Sequence, residues 1–392
     1  MENIVTLGII SLLIAISPLL STLTRLPVVV VEILLGALAL HFNWFSHSSS
    51  LEFIAQIGFL FLMFLCGLEV DLDTFKKLGT KFLKSALLYF GVLYGVAEIY
   101  VLYFGFSEFY IAALPVMSLG MIMALLKEYP KTASWLTLAL NVGILGELIS
   151  IIILVILNGA YSYGLNWELY KTLFVLFVFL SVIVGTFKIA DILFWWFPTL
   201  KFLVIPKDTS KNQDIRFSAM LFLTMIGIAH LLNLESVLGA FLAGMILATY
   251  FHYKEGLANK LNEFGFGFFI PLFFVYVGST LDLNLIFNDF TLLYRVFAVI
   301  LMMVSLRVIA AFVAYRNHFG NYYDTILFAL SHSMPLTFLV ATAQLGRQFN
   351  AIATQEYYAL ILAALLEGII LTLCIKVLYT YKLKKMPHLK TS

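Results

Sequence analysis

The feature that most limits this chain is a succession of apolar runs, each about 20 residues long, between Ile4 and Tyr381. A helix rises about 1.5 Å per residue, so each run is long enough to cross the roughly 30 Å hydrocarbon core of a bilayer. In lipid every backbone N–H and C=O must be satisfied internally, which restricts the solutions to helices or closed β-barrels. Barrel strands alternate in polarity at every second residue, and "FVLFVFLSVIVG" (174–185) does not. The expected class is therefore an all-α membrane protein. Composition agrees: 62% of residues are hydrophobic and 12% charged, with a mean hydropathy of +0.99, against about 25% charged in soluble domains. Cys66 and Cys374 both fall in apolar runs, so no disulfide framework is expected. The N-terminal "MENIVTLGIISLLIAIS" lacks the basic flank and small-residue cleavage site of a signal peptide and is read as the first span.

Turn residues and charge clusters delimit thirteen candidate spans: 4–22, 27–42, 52–71, 82–104, 108–126, 132–157, 169–194, 215–233, 235–252, 263–282, 290–315, 323–346 and 356–381. Basic residues collect in cytoplasmic loops. With the N-terminus outside and the C-terminus inside, all but four of the 24 basic residues fall on the inner side; the exceptions are Lys171, Arg295, Arg347 and the intramembrane Arg307. A wrong count would scramble that alternation.

The second and ninth spans begin similar passages. "VEILLGALAL" (31–40) followed by "FLMFLCGLEVDL" (61–72) parallels "GAFLAGMILA" (239–248) followed by "FFVYVGSTLDL" (273–283), with Gly67 and Asp71 matching Gly278 and Asp282. Seven crossings separate the copies, so they run in opposite directions through the membrane. The expected repeats are 27–157 and 235–381, an inverted arrangement typical of secondary transporters whose binding site lies at the midplane.

Each half then reaches an irregular span. The fifth, "LPVMSLGMIMALLKE", carries Pro115, Ser118 and Gly120; the twelfth, "ALSHSMPLTFLVATAQLG", carries Ser331, His332, Ser333, Pro335 and Thr337. Proline deletes a helical hydrogen bond, and irregular backbone at membrane depth is tolerated only where it faces protein or water. Such helices break in mid-membrane and present carbonyls, half-helix ends and hydroxyl oxygens to an ion. Close helix packing through small residues is the plainer explanation of the same composition.

Glu147 is the one ionisable side chain between Trp135 and Leu157. A carboxylate near the bilayer centre costs at least about 3 kcal/mol if left ionised and dry, so it must meet water, a proton or a cation. That makes it the candidate proton-binding and monovalent-cation-binding group, with Ser118 and Ser333 as oxygen donors. Arg307 is the second isolated deep charge; it keeps its proton and is expected to compensate charge at the site. Glu367, 220 residues after Glu147, is its repeat partner and a candidate counter-charge for Arg307. Glu32 and His230 are expected to be packing or interfacial groups, and Glu69, Asp71 and Asp73 a solvated helix end beside Lys76 and Lys77.

Taken together, "LPVVVVEILLGALA", "FLFLMFLCGLEVDL", "LESVLGAFLAGMILA" and "IPLFFVYVGSTLDL" resemble the monovalent cation:proton antiporter-2 family, which includes bacterial sodium/proton exchangers and Kef-type potassium/proton exchangers. The resemblance runs through nearly the whole chain. It implies about thirteen helices, a core domain with two crossing broken helices, a dimerisation domain and hence a homodimer. It also implies an ion site in the sixth span, where an aspartate usually follows Asp, Asn or Gln, faced by a basic residue from the eleventh span. Here those positions read Gly146-Glu147 and Arg307. The single carboxylate favours exchange of one cation for one proton with no net charge moved.

The expected function is thus secondary active exchange of Na⁺ or K⁺ for H⁺ by a multi-pass protein of the cell's inner (plasma) membrane, with the lipid bilayer, the cation and the proton as partners. A passive cation channel with the same fold is the alternative. No nucleic acid and no cofactor are expected. No HExxH motif or GxGD motif marks an intramembrane protease, and no GxGxxG fingerprint marks a nucleotide-binding regulatory domain of the kind Kef-type relatives append, so neither an enzyme nor a cytosolic regulatory domain is expected.

Overall fold

A computed structural model of the protein describes residues 2–24, 26–46, 48–68, 79–130, 133–163, 213–232, 234, 236–251 and 255–385, with scattered positions between 167 and 196. Among these there is no strand. The helices are α1 (Glu2–Thr24), α2 (Val28–His41), α3 (Ser49–Leu68), α4 (Thr80–Phe104), α5 (Tyr110–Ala113), α6 (Leu119–Glu128), α7 (Ser134–Tyr163), α8 (Gln213–Leu231) and α9 (Ser236–Phe251). After them come α10 (Glu255–Phe264), a π-helical turn (Gly265–Phe269), α11 (Ile270–Ser279), α12 (Leu283–Asn288), α13 (Phe290–Phe319), α14 (Tyr322–His332), α15 (Leu336–Gln348) and α16 (Thr354–Lys385).

Among the described residues seven helices are long and apolar enough to cross a bilayer, and the α14–α15 pair, bent by 45° at its break, makes an eighth. The expected second and ninth spans appear as the shorter apolar helices α2 and α9, the sixth as the 30-residue α7, and the fifth as α5 and α6 on either side of an irregular segment. Most of the expected seventh span, 169–194, lies outside the described residues, as do Glu69, Asp71 and Asp73. Polar caps gather at helix ends, where the first N–H groups lack helical partners: Asp282 accepts from Asn284 N–H at 2.9 Å, Asp289 from Thr291 N–H at 2.9 Å and Asn321 from Asp324 N–H at 2.8 Å.

Contacts group the chain into two units, Met1–Phe53 with Lys76–Leu154 and Pro271–Ser392, and Ile54–Phe75 with Val155–Ile270. In the first, α13 packs on α4, α14 and α16, while α15 packs on α16. A buried ion pair between Lys382 and Asp324 fastens α16 to α14, and Tyr100 meets Ser305 at 2.8 Å between α4 and α13. In the second, α8 lies on α9, Asp214 pairs with Lys260 at 3.3 Å, and Phe61, Phe64, Phe222, Phe264 and Phe269 form one aromatic cluster.

Glycines set one crossing in each unit. In the first, Gly36 of α2 lies against the Val275 carbonyl of α11, and Gly278 against the Ile33 carbonyl. In the second, Gly67 of α3 lies against the Phe241 carbonyl of α9, and Gly244 against the Phe64 carbonyl. A Cβ at any of the four would overlap that oxygen. Residues 33 and 36 correspond to 241 and 244 in the sequence repeat, and 64 and 67 to 275 and 278, so the same contact is made twice in the same register. Lipid supplies no hydrophobic drive between helices, so such close backbone approach carries much of the packing.

Gly36→Ala is expected to lower stability by about 1–3 kcal/mol through overpacking. Gly91→Ala, at an exposed site in α4 with nothing within 4 Å of its Cβ position, is expected to leave stability unchanged or raise it by about 1 kcal/mol. Thermal unfolding of the two variants in detergent checks the contrast.

Candidate functional site

Four segments of the first unit build the site. Two are helix breaks, residues 114–118 between α5 and α6 around Pro115, and residues 333–335 between α14 and α15 ending at Pro335. The third is the face of α7 that carries Glu147, and the fourth is α13 with Arg307.

Arg307 is fully buried; both Nη atoms of its guanidinium donate to backbone, while Nε has no hydrogen-bond partner. Nη1 donates to the Leu114 carbonyl and to the Met303 carbonyl, each at 2.9 Å, and Nη2 donates to the Val116 carbonyl. Leu114 and Val116 flank Pro115, so the arginine takes up carbonyls that the break leaves without a helical partner. The direct pair with Glu367 does not form. Glu367 is fully buried on α16, which packs on α13, and lies within electrostatic reach of Arg307, yet neither carboxylate oxygen has a hydrogen-bond partner. Charge compensation between these two therefore acts across space, with both Nη groups of Arg307 on carbonyls.

Glu147 serves the other side of the same break. Its Oε2 accepts from the N–H of Leu119, the first residue of α6, at 3.3 Å. Ser118 occupies the capping position of α6 but makes no side-chain cap; its hydroxyl lies 3.0 Å from Thr337 Oγ1 and joins the first break to α15. Glu147 thus caps a half-helix from a neighbouring helix, where the partial positive charge of the helix N-terminus favours a carboxylate. Gly120 follows in the first turn of α6.

The second break is held by His332, which is buried and sits between two carbonyls at 3.0 Å: Nδ1 on Phe328 of its own helix and Nε2 on Ala139 of α7. A neutral imidazole donates to one of them. Ser331 and Ser333 turn their hydroxyls back onto the Phe328 and Ala329 carbonyls of α14, at 2.7 and 2.9 Å. Ser333, expected as an oxygen donor to the cation, donates its proton inside its own helix and keeps its oxygen lone pairs. Of the remaining candidates, Glu32 is buried on α2 and accepts from Ser17 of α1 at 3.2 Å, and His230 is exposed in the last turn of α8.

Sequence reasoning missed Met117 and Ser150. The Met117 N–H donates to Ser150 Oγ at 3.3 Å, and that hydroxyl donates to the Gly146 carbonyl at 2.7 Å. Gly143, Gly146, Glu147 and Ser150 share one face of α7 at helical spacing, and the first break lies along it, with Leu119 and Ile122 over Gly143 and Met117 over Gly146. The spacing of those four residues was the available signal.

Glu147 is 0% exposed. A cavity of about 880 Å³ lies at one end of the unit, lined among others by Glu52, Tyr276, Thr280, Asp282, Gln344 and Arg347. Near Gln344, Tyr357 donates to Gln344 Oε1 at 3.0 Å and meets Thr280 Oγ1 at 2.7 Å. From Gln344 to Thr337 is about 10 Å along α15, so in this conformation the cavity stops short of the carboxylate. Among the described residues no three His, Cys, Asp or Glu side chains cluster to hold a multivalent metal.

A membrane helical bundle with two mid-membrane breaks around a sealed carboxylate is the architecture of a secondary transporter. Residues 9–380 match the family described as sodium/hydrogen exchanger, transmembrane, and the chain belongs to that family. It is 27% identical over 387 residues to the putative Na(+)/H(+) antiporter YjbQ of Bacillus subtilis, covering 90% of this chain and 59% of that protein. It is 26% identical over 396 residues to the Na(+)/H(+) antiporter of Enterococcus hirae, covering 94% and 97%. The fold matches the structure of the sodium proton antiporter MjNhaP1 from Methanocaldococcus jannaschii with a TM-score of 0.66 at 14% identity, over 96% of this chain and 97% of that one.

Replacing Arg307 by Met strands the Leu114 and Val116 carbonyls, while the Met303 carbonyl keeps its helical partner. At roughly 1–3 kcal/mol for each buried group left unsatisfied, the loss is expected to reach at least about 2 kcal/mol. Ser118→Ala, which removes one neutral hydrogen bond, is expected to lose about 1 kcal/mol. Unfolding of both variants in detergent separates the two magnitudes.

Proposed function

We propose that this chain is a secondary active transporter that exchanges one monovalent cation, Na⁺ or K⁺, for one proton by alternating access at Glu147, with no net charge moved. The observation that carries the reading is a fully buried carboxylate placed on the N–H of a half-helix, beside a break whose carbonyls already occupy the nearby arginine. Membership of the sodium/hydrogen exchanger family supports the same chemistry.

Several finer features belong to this proposal. The repeats 27–157 and 235–381 supply two access states, a reading supported by the glycine crossings made twice in one register. The antiporter-2, Kef-type affiliation rests on the four sequence segments that resemble that branch. A homodimer in the plasma membrane, thirteen spans, and an N-terminus outside with a C-terminus inside follow from the resemblance and from the alternation of basic residues. Ser118 and Thr337 hydroxyls and the carbonyls of the two breaks are the oxygens available to a cation that replaces the proton on Glu147. The channel alternative is less well supported, because the cavity ends near Gln344 while Glu147 is sealed.

In proteoliposomes an imposed Na⁺ or K⁺ gradient is expected to drive saturable proton movement against the proton's own gradient, at a rate indifferent to membrane potential. Competition for one carboxylate makes the apparent KM for the cation rise about tenfold per pH unit on the acidic side of the site's titration, with Vmax unchanged. Glu147→Gln is expected to abolish exchange in a protein that remains folded. Undiminished exchange in that variant rejects Glu147 as the site, and flux that dissipates gradients without coupling favours the channel.

A further inference from the structure

Gly146 precedes the carboxylate and has no side chain, but the space that a side chain would take is filled. A Cβ on Gly146 would overlap the Met117 sulfur, with the Cγ and Cβ of that methionine 3.1 and 3.2 Å away. Met117 is 1% exposed, so a displaced thioether has little free volume to move into. Its backbone is fixed on the same spot, since its N–H reaches Ser150 and Ser150 reaches the Gly146 carbonyl. Two residues further on, Leu119 bonds Glu147 itself. Main chain and side chain of the first break are thus docked on α7 at the residue next to the carboxylate.

We infer that Met117 is a specificity-determining residue: its thioether closes the flank of Glu147 where a side chain at position 146, or a water, would otherwise stand. The inference rests on exchange occurring at Glu147, as proposed above. A thioether is a soft, weak acceptor, so it neither ligates a hard monovalent cation nor holds a water for it. Methionine adapts to irregular gaps, which suits it to the notch left by a glycine. A cation bound beside it must therefore give up hydration on that side and take its oxygens from Glu147, the hydroxyls of Ser118 and Thr337, and the break carbonyls. Discrimination between cations depends on how many fixed oxygens replace the hydration shell. A water admitted at this flank lets cations of different size keep part of that shell and narrows the difference between them.

The test uses the full chain in proteoliposomes with Li⁺, Na⁺ and K⁺, and compares Met117→Ala, Met117→Leu, Gly146→Asn and the double variant Met117→Ala/Gly146→Asn. In Met117→Ala the ratio of apparent KM between the best and worst cation is expected to shrink by about threefold or more. Met117→Leu, which refills the volume, keeps the parent ratio. Gly146→Asn is expected to lose both thermal stability and transport, and the double variant to regain stability because the asparagine then has the room the thioether left. An unchanged cation ratio in Met117→Ala, or a double variant no more stable than Gly146→Asn, overturns the inference. If the parent protein shows no cation-driven proton movement, it is the exchange reading that fails, whereas the stability comparison still reports on the Met117–Gly146 contact.

Discussion

The structure of the site depends on how the chain satisfies the backbone of a helix interrupted inside the membrane. Each N–H and C=O freed there lacks water and costs several kcal/mol if left alone. Between α5 and α6 the two kinds of group are treated separately. The Arg307 guanidinium takes the Leu114 and Val116 carbonyls, and the Glu147 carboxylate takes the Leu119 N–H. Two opposite charges on two different helices each compensate the end of the break with the opposite partial charge. They need not touch, because the broken backbone lies between their functions.

That division has a chemical consequence. An arginine paired directly with Glu147 would hold the carboxylate neutralised and leave little reason for it to bind anything else. With both Nη groups directed at three carbonyls, Arg307 contributes positive potential at the break. In the exchange proposed at Glu147, binding a proton or a cation would change the strength of the cap on α6, since a neutralised carboxylate is a weaker acceptor than an ionised one. Occupancy is thereby linked to the half-helix that begins at Leu119, and through the Ser118–Thr337 contact to the second break. Ligand chemistry and helix position share the same few atoms.

Much of this was legible in the sequence, and the parts that were not have a common cause. Glu147 and Arg307 stood out because an isolated charge in an apolar run must be satisfied, and Pro115 and Pro335 because proline interrupts a helix. The partner of Arg307 was not legible: Glu367 was the natural choice by residue type, but the partners are backbone carbonyls, which carry no sequence signature. Gly146 read as an empty position, whereas Met117, from a different helix segment, fills it. Residue type reports what a group needs; which neighbour meets the need is decided by packing.

The burial of Glu147 and the paired glycine crossings bear on one requirement. Alternating access needs at least two conformations close in free energy, with the site sealed from one or both sides in each. A buried carboxylate beside polar backbone fits one such conformation, with the cavity lined by Gln344 stopping short of it. The crossings support the proposal of two such states. Gly36 on Val275 and Gly278 on Ile33 repeat, residue for residue, the contacts of Gly244 on Phe64 and Gly67 on Phe241. When the same backbone contact is built into both halves of a repeat, a change that exchanges the environments of the halves leaves that contribution to packing nearly constant. The energy difference between access states then rests on the few interactions that differ, and at the centre of the membrane those are the charge on Glu147 and the cap it places on α6.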